Sequence, residues 1–472
     1  MDGIDQAVNN AAVPAPTPVP ARAWAALMVG SATVVLIILD AGFVALAFPE
    51  IEASFGESSR STLGWVSSGY FIALSSFMLV AGWLGDRLGR RRVFFGGLFV
   101  FATGALLTAL ATSTWMLILA RVVQGSGAAA LTPVSLAMVL PAFPLERRAS
   151  AVGAWGVAGA VSGIVAPTAG AFLIDVVGWR APFFVFVPLA GLAWLVGRRV
   201  LPDERGDDPD GAIDVPGIVS ATVVVGAISL VVTKGDQWGW GSGGTILAIV
   251  VALVSGPLLV HRARTRVGTP LDVDLFQVRS FASASVVSFL SQAAFFSFFF
   301  SAPLFLIDVW EWSTLQAGFA IALNQVSAAV VGIAGGRWAD RNGHRGIIVL
   351  GGVLGALGHG WLAFAADASV DVWMVLFPSF VVGGVGSMFI GSTISAAAFH
   401  DLDDSRLGRA SGSYYVTRRL GSAAGAVAAV AILGDRVGID AVDRFRLIWA
   451  FSAVCFLASA VVMRITFAKP DR

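Results

Sequence analysis

Cysteine is nearly missing from this chain of 472 residues. Cys455 stands alone, so no intrachain disulfide forms, and no Cys/His cluster has the spacing of a metal site. The four histidines, His261, His344, His359 and His400, are far apart in sequence. Charge is scarce as well: 13% of the residues are Asp, Glu, Lys or Arg, against about a quarter in an ordinary soluble domain. The formal net charge is +1 and the basic residues form no isolated patch, which points away from nucleic acid. No Ser/His/Asp set or Walker loop occurs, so neither an enzyme nor a one-chain ATP-driven pump is expected. Residues 1–20 lack the basic start of a signal peptide and read as an Ala/Pro-rich disordered tail.

What is abundant is apolar surface. Hydrophobic residues make up 57% of the chain, and the mean hydropathy is +0.81. Apolar stretches of roughly 20 residues follow one another almost end to end, the signature of a polytopic membrane protein. The expected fold is an all-α integral membrane protein with 14 transmembrane helices, arranged as two six-helix bundles plus a central helix pair. The first six spans cover roughly 24–48, 61–83, 92–112, 115–140, 149–173 and 182–200. The central pair falls near 213–233 and 244–261, and the last six near 280–306, 315–338, 346–366, 372–397, 408–434 and 446–468. The domains follow: a tail at 1–22, a bundle at 23–200, a linker with two extra helices at 201–279, a second bundle at 280–468 and a short tail at 469–472. An acidic segment, Pro202 to Asp210, opens the linker.

On this map about 22 of the 31 Lys/Arg fall on the face carrying both termini and about six on the other. The asymmetry places both termini in the cytoplasm of a cell-membrane protein. Trp115, Trp179, Trp238, Trp240, Trp310, Trp312 and Trp373 cluster at the expected outer ends, as an interfacial belt would.

One stretch recurs. Gly82, Asp86, Arg87, Gly89 and Arg91 align with Gly336, Asp340, Arg341, Gly343 and Arg345 at a constant offset of about 254 residues. The chain therefore reads as internally duplicated, and duplicated bundles with charged turns on one membrane face suggest a secondary transporter. The glycines allow close helix contact and a tight turn. The carboxylates can accept hydrogen bonds from donors, an arginine among them, or cap a neighbouring helix N-terminus. The basic residues, Arg90 among them, stay at headgroup level.

Few charges lie inside spans. Asp40 sits in the first, where an ionised carboxylate costs several kcal/mol unless paired or wet. It is either a proton or cation site, or a structural carboxylate held by arginine. Arg121 sits in the fourth span with Gln124 one turn on, and is the candidate partner. Gly125 and Gly127 beside it allow close approach; without a preceding strand they are not a phosphate loop. The fifth span carries Gly153, Gly156, Gly159, Gly163, Pro167 and Gly170. That stripe gives either ordinary close packing or a gasket between bundles. Phe295 and Phe296 open a Phe-rich run in the seventh bundle span, which faces either lipid or an amphipathic ligand. Asn324, Gln325, Tyr415 and Arg418 are the other cavity candidates. One of Arg418 and Arg419 is expected to face the interior. His359 is expected to be a packed histidine rather than a proton relay.

These motifs together resemble the major facilitator superfamily, specifically its 14-helix drug:proton antiporters, over nearly the whole chain outside the first 20 residues. Residues 82–92 match the superfamily's loop signature between the second and third helices, and 121–129 match its fourth-helix Arg-x-x-Gln-Gly-x-Gly pattern. Gly163 to Ala171 is similar to the antiporter signature of the fifth helix, with Ala166 and Ala171 where glycine is usual. Gly178 to Pro188 looks like the start of the sixth helix in the 14-helix group. Leu39 to Pro49 resembles that group's first-helix motif, with Val44 and its neighbours replacing the usual Ile-Val-Asn run.

The resemblance implies a monomeric exporter of lipophilic, often cationic, drugs or similar organic compounds in exchange for protons, with the proton gradient as energy source and no cofactor or metal. Asp40 would be the proton or substrate carboxylate and Arg121 its partner. Asp86, Arg87 and Arg91 would form a cytoplasmic latch, with Asp340 and Arg341 a weaker second copy. A dedicated exporter of one natural product or lipid, or a non-coupled facilitator or sensor, are the alternatives. The topology has a direct test. In a Cys455→Ser background, a single cysteine at Asp208 is expected to react with an impermeant maleimide only from the cytoplasm, and one at Gln237 only from outside; the reverse pattern refutes the map.

Overall fold

The computed structural model describes residues 19–144, 147–202, 213–266, 269–312, 314–403, 406–433 and 441–467. Residues 1–18 of the expected tail at 1–22, most of the acidic linker segment and residues 468–472 lie outside the described residues, and Ala21 and Arg22 belong to the first helix rather than to a tail. The long helices are α1 Ala21–Ser54, α2 Trp65–Leu88, α3 Arg90–Ala109, α4 Thr114–Val139, α5 Arg148–Val177 and α6 Ala181–Val200. The central pair is α7 Val215–Trp238 and α8 Gly243–Thr265. The second set is α9 Arg279–Asp308, α10 Thr314–Asn342, α11 His344–Ala365, α12 Phe377–Gly391, α13 Leu407–Leu433 and α14 Val442–Thr466. Among the described residues, 13 helices are long and apolar enough to cross a membrane. The expected fifth span falls on α5, which is not among those 13.

Their apolar composition explains the helices: in lipid the backbone must satisfy its own hydrogen bonds. Caps set the ends. Ser113 accepts from the Met116 amide at the start of α4, and Ser242 accepts from the Thr245 amide at the start of α8. The tenth bundle span is not one helix. A π turn, Val372–Leu376, leads into α12, and a further helix, Ile394–Phe399, follows a break at Ser392 and Thr393. Thr393 Oγ1 donates to the Phe389 carbonyl at 2.8 Å, satisfying a helix-end oxygen there.

The duplication seen in sequence is also one of packing. Within the first set α4 packs on α2 and α3, and within the second α12 packs on α10 and α11. In both sets arginines tie the third and sixth helices at both ends. On one face Arg91 donates to the Arg198 carbonyl at 2.8 Å, and its repeat partner Arg345 donates to the Arg464 carbonyl. On the opposite face Arg180 donates to the Ala111 carbonyl at 3.1 Å, and Arg446 to the Ala366 carbonyl at 2.8 Å. Each arginine satisfies a carbonyl at or beyond a helix C-terminal end.

The halves meet through α2 on α13 and α5 on α10. Glycine makes both contacts. A Cβ on Gly82 would stand 2.3 Å from the Gly408 carbonyl oxygen, and one on Gly336 would stand 2.6 Å from the Ala149 carbonyl oxygen. The central pair packs outside this interface, α7 lying against α2. Asp214 and Arg262 join α7 to α8 with hydrogen bonds of 2.9 and 3.0 Å from Nε, and the guanidinium holds the Asp214 carboxyl below its usual range.

The tryptophan belt needs correction. Trp115, Trp240 and Trp373 are exposed, but Trp179 and Trp310 are buried. Trp179 donates to Ser54 and Trp310 to the Asp367 carbonyl, so these two rings brace the end of α1 and the segment after α11 rather than face headgroups.

The Gly82 contact carries a prediction. Gly82→Val should force α2 and α13 apart, whereas Gly96→Val, with nothing near its would-be Cβ, should be neutral. Spin labels at Leu88 and Asp403 should report a longer distance only in the Gly82 variant; an unchanged distance distribution would show that the close approach is dispensable.

Candidate transport site

Asp40 and Arg121 meet in the middle of the first bundle. Arg121 Nη1 donates to Asp40 Oδ1 at 2.6 Å and Nη2 to Oδ2 at 2.8 Å. Gln124 Nε2 adds a bond to Oδ1 at 2.9 Å, while its own oxygen accepts from Arg121 at 2.7 Å. Arg121 Nε reaches the Val66 carbonyl, and the guanidinium lies 4.2 Å from the Tyr70 ring centroid. Asp40 and Gln124 are 0% exposed and Arg121 is 1% exposed, so the pair is sealed from the space between the bundles. The bidentate geometry is what a buried pair needs, because desolvating two charges costs several kcal/mol each. Gly104, whose Cβ would strike the Gln124 backbone, lets α3 close over it.

The two copies of the repeated turn perform the same operation from opposite bundles. Asp86, at the end of α2, accepts from the Gly408 and Arg409 amides at 2.7 and 2.6 Å, the second and third residues of α13. Asp340, at the end of α10, accepts from the Ala149 and Ser150 amides at 2.9 Å each, the second and third residues of α5. Ser150 Oγ also donates to Asp340. Each carboxylate therefore caps a helix N-terminus in the other half, where unpaired amides and the helix dipole favour negative charge. Gly89 and Gly343 follow at φ of 95° and 81°, a conformation that glycine adopts freely. The second copy is as fully engaged at its carboxylate as the first; only its basic complement is thinner. Arg90 donates to Asp86 at 3.1 Å and to the Ala137 carbonyl, and Arg87 lies over the Trp83 ring, whereas Arg341 is exposed.

Three residues outside the sequence motifs extend this contact between the halves. Arg409 lies 3.6 Å from Asp86 and 3.7 Å from Asp272, and Asp272 also accepts from Arg406 at 2.6 Å. The linker before α9 is thereby tied to the cap of α13. No local pattern marks Asp272; only the fold brings it there. The ends of α6 and α14, held by Arg91 and Arg345, lie on this same face, as does Arg22, which donates to the Val200 carbonyl.

Between the bundles lies a cavity of about 360 Å³. Phe295, Phe296, Gln325, Tyr415 and Arg418 line it as expected, and so does Arg419: both arginines face inward. Asn324 does not reach it. It is buried and donates to the Phe380 carbonyl at 3.0 Å. The Phe run divides, with Phe298 buried against His359 and Phe299 and Phe300 exposed on the outside. His359 is packed between Phe298 and Phe456. On α5, Gly159 and Gly163 line the cavity, and Gly170 packs under Phe43 of α1. The side chain of Pro167 lies outside the described residues. The contact across bundles is made instead by Gly153 against Gly332 and by Gly156 against Met388.

Removing the charge of a capping carboxylate should weaken the latch by about 1 to 2 kcal/mol each. Asp86→Asn and Asp340→Asn should each raise the reactivity of a cysteine placed at Thr132, on the cavity wall, from the latch face, with folded yield preserved. Collapsed yield with unchanged accessibility would mean that these residues only stabilise static turns.

The Major Facilitator Superfamily profile matches residues 30–426 and again 284–471. The cephamycin export protein CmcT of Amycolatopsis lactamdurans is 29% identical over 422 residues, covering 88% of this chain and 85% of that protein. The multidrug resistance protein Stp of Mycobacterium tuberculosis (strain ATCC 25618 / H37Rv) is 30% identical over 401 residues, covering 85% of this chain and 73% of Stp. The structure of the proton:xylose symporter XylE shares the fold, with a TM-score of 0.67 at 15% identity, covering 95% of this chain and 96% of that one. Profile, relatives and fold agree with the duplicated motifs and the paired intramembrane charges: the chain belongs to the major facilitator superfamily of membrane transporters.

Proposed function

We propose that this transporter is an antiporter that exports lipophilic organic compounds in exchange for protons. The observation that carries the reading is the sealed Asp40–Arg121 pair. A carboxylate in this position has two alternatives, a proton or the guanidinium. Taking the proton leaves Arg121 buried without its counter-charge, a state that costs about 3 to 5 kcal/mol. That cost falls on α1 and α4, which carry the pair and which both contribute to the cavity wall through Val34, Ile37 and Thr132. Protonation at Asp40 is thus mechanically coupled to the shape of the substrate chamber.

The latch supplies the other half of the cycle. Closure of the face carrying the described ends of α1, α6 and α14 is held by Asp86 and Asp340, so a state open to that face requires both caps to break. We take that face as cytoplasmic, which makes the latched state the outward-facing one. The names of CmcT and Stp, for cephamycin export and multidrug resistance, support export of organic compounds and leave open a single substrate or several.

In vesicles with an imposed pH gradient, efflux of a panel of lipophilic dyes is expected from the wild type. Asp40→Asn should abolish uphill efflux while leaving folded protein, since the amide still accepts from Arg121 and cannot carry a proton. Full pH-driven efflux by this variant would refute the coupling role.

A further inference from the structure

Among the described residues, each arginine less than a tenth exposed is either matched to a carboxylate or has other hydrogen-bonding or ring contacts: Arg121 with Asp40, Arg90 with Asp86, Arg87 over Trp83. The cavity breaks this pattern. Arg418 and Arg419 are adjacent in sequence, both partly buried and both in its lining. Among the described residues neither guanidinium has a hydrogen bond or an ion pair, and the lining contains no Asp or Glu. Two like charges held close together in a chamber walled mostly by apolar side chains repel each other and lose hydration. The arrangement persists at least cost when an anion occupies the space between them. Two neutral donors point the same way. The Trp155 indole N–H and the Tyr415 hydroxyl are buried without a partner, and their rings lie 6.2 Å apart on the cavity wall.

We infer that the cavity takes an amphipathic organic anion, with a carboxylate or sulfonate head at Arg418 and Arg419 and an aromatic body against Phe295, Phe296 and Trp155. This deepens the exporter reading by assigning the charge of the substrate, and rests on that reading only for the direction of movement. A cation finds aromatic faces here but no counter-charge, and must approach two guanidinium groups. Arg418 and Arg419 are then specificity-determining residues, separate from the Asp40–Arg121 pair, which does not reach the cavity.

Three ligands with one pyrene body and different heads separate the possibilities: 1-pyrenebutyrate, 1-pyrenebutanol and 4-(1-pyrenyl)butyl-trimethylammonium. Binding to the purified full chain in nanodiscs of zwitterionic lipid is measured first, and pH-driven movement in proteoliposomes second. Pyrenebutyrate should bind about tenfold or more tighter than the alcohol, as one charge-assisted hydrogen bond implies. Arg418→Gln and Arg419→Gln should each remove most of that preference without changing affinity for the alcohol. Arg418→Lys and Arg419→Lys should retain part of it, which keeps the test decisive if a Gln variant folds poorly. Equal or tighter binding of the ammonium compound, or an undiminished anion preference in the variants, overturns the assignment. Anion binding without transport under any gradient would uphold this site and count against the exporter reading. Transport of the ammonium compound alone would do the reverse.

Discussion

Asp40 gives both its oxygens to one guanidinium, and the first bundle is assembled around that pair. Arg121 reaches α1 through the carboxylate and α2 through the Val66 carbonyl and the Tyr70 ring, and the neighbouring Gln124 packs under α3. Neither charge is tolerable alone at this depth. The same constraint, that a charge in a low-dielectric slab needs a partner or water, applies to Asp86 and Asp340, paired across bundles, and to Arg418 and Arg419, which face the cavity.

The pairs across bundles use the backbone as the partner. Asp86 and Asp340 each meet two amides of an opposing helix N-terminus, so the contact does not depend on the basic run of the turn itself. This explains how the second copy of the turn works with a degenerate basic run. Arg341 is exposed, yet Asp340 is fully satisfied. Close approach is the condition for such capping, and Gly82 and Gly336 provide it, one at each of the two contacts between the halves. Because each cap joins one half to the other, breaking it would require the halves to separate, which suits a two-state transition.

The proposed machinery is thus layered. The proton-accepting candidate is sealed within one bundle, the candidate chamber lies between bundles, and the two caps join the halves at one end. The chamber communicates with the sealed pair through shared helices rather than through a shared surface. α1 carries both Asp40 and the cavity residues Val34 and Ile37, and α4 carries both Arg121 and Thr132. Coupling by helix position requires no direct contact between proton and substrate. The Asp272–Arg409 contact ties the linker to the cap of α13, giving the α7–α8 pair a physical connection to it.

Much of this was legible in the chain because membrane helices obey short-range rules. Hydropathy located the spans, glycine spacing and the 254-residue offset exposed the duplication, and an acid in one apolar run with an arginine in another announced the Asp40–Arg121 pair. Sequence also singled out Asp86 and Asp340, since a repeated carboxylate beside an obligatory glycine turn has few other uses. What it left open depended on the rotation of helices about their own axes, which nothing in an all-round apolar segment specifies. So Asn324 and Gln325, adjacent in sequence, part company between a carbonyl of α12 and the cavity. Phe296 faces the chamber while Phe299 faces out, and Trp179 and Trp310 turn inward from the expected belt. The tertiary structure alone decided that both Arg418 and Arg419 look into a space with no acid in its lining, because the charge of a chamber is a sum over helices far apart in sequence.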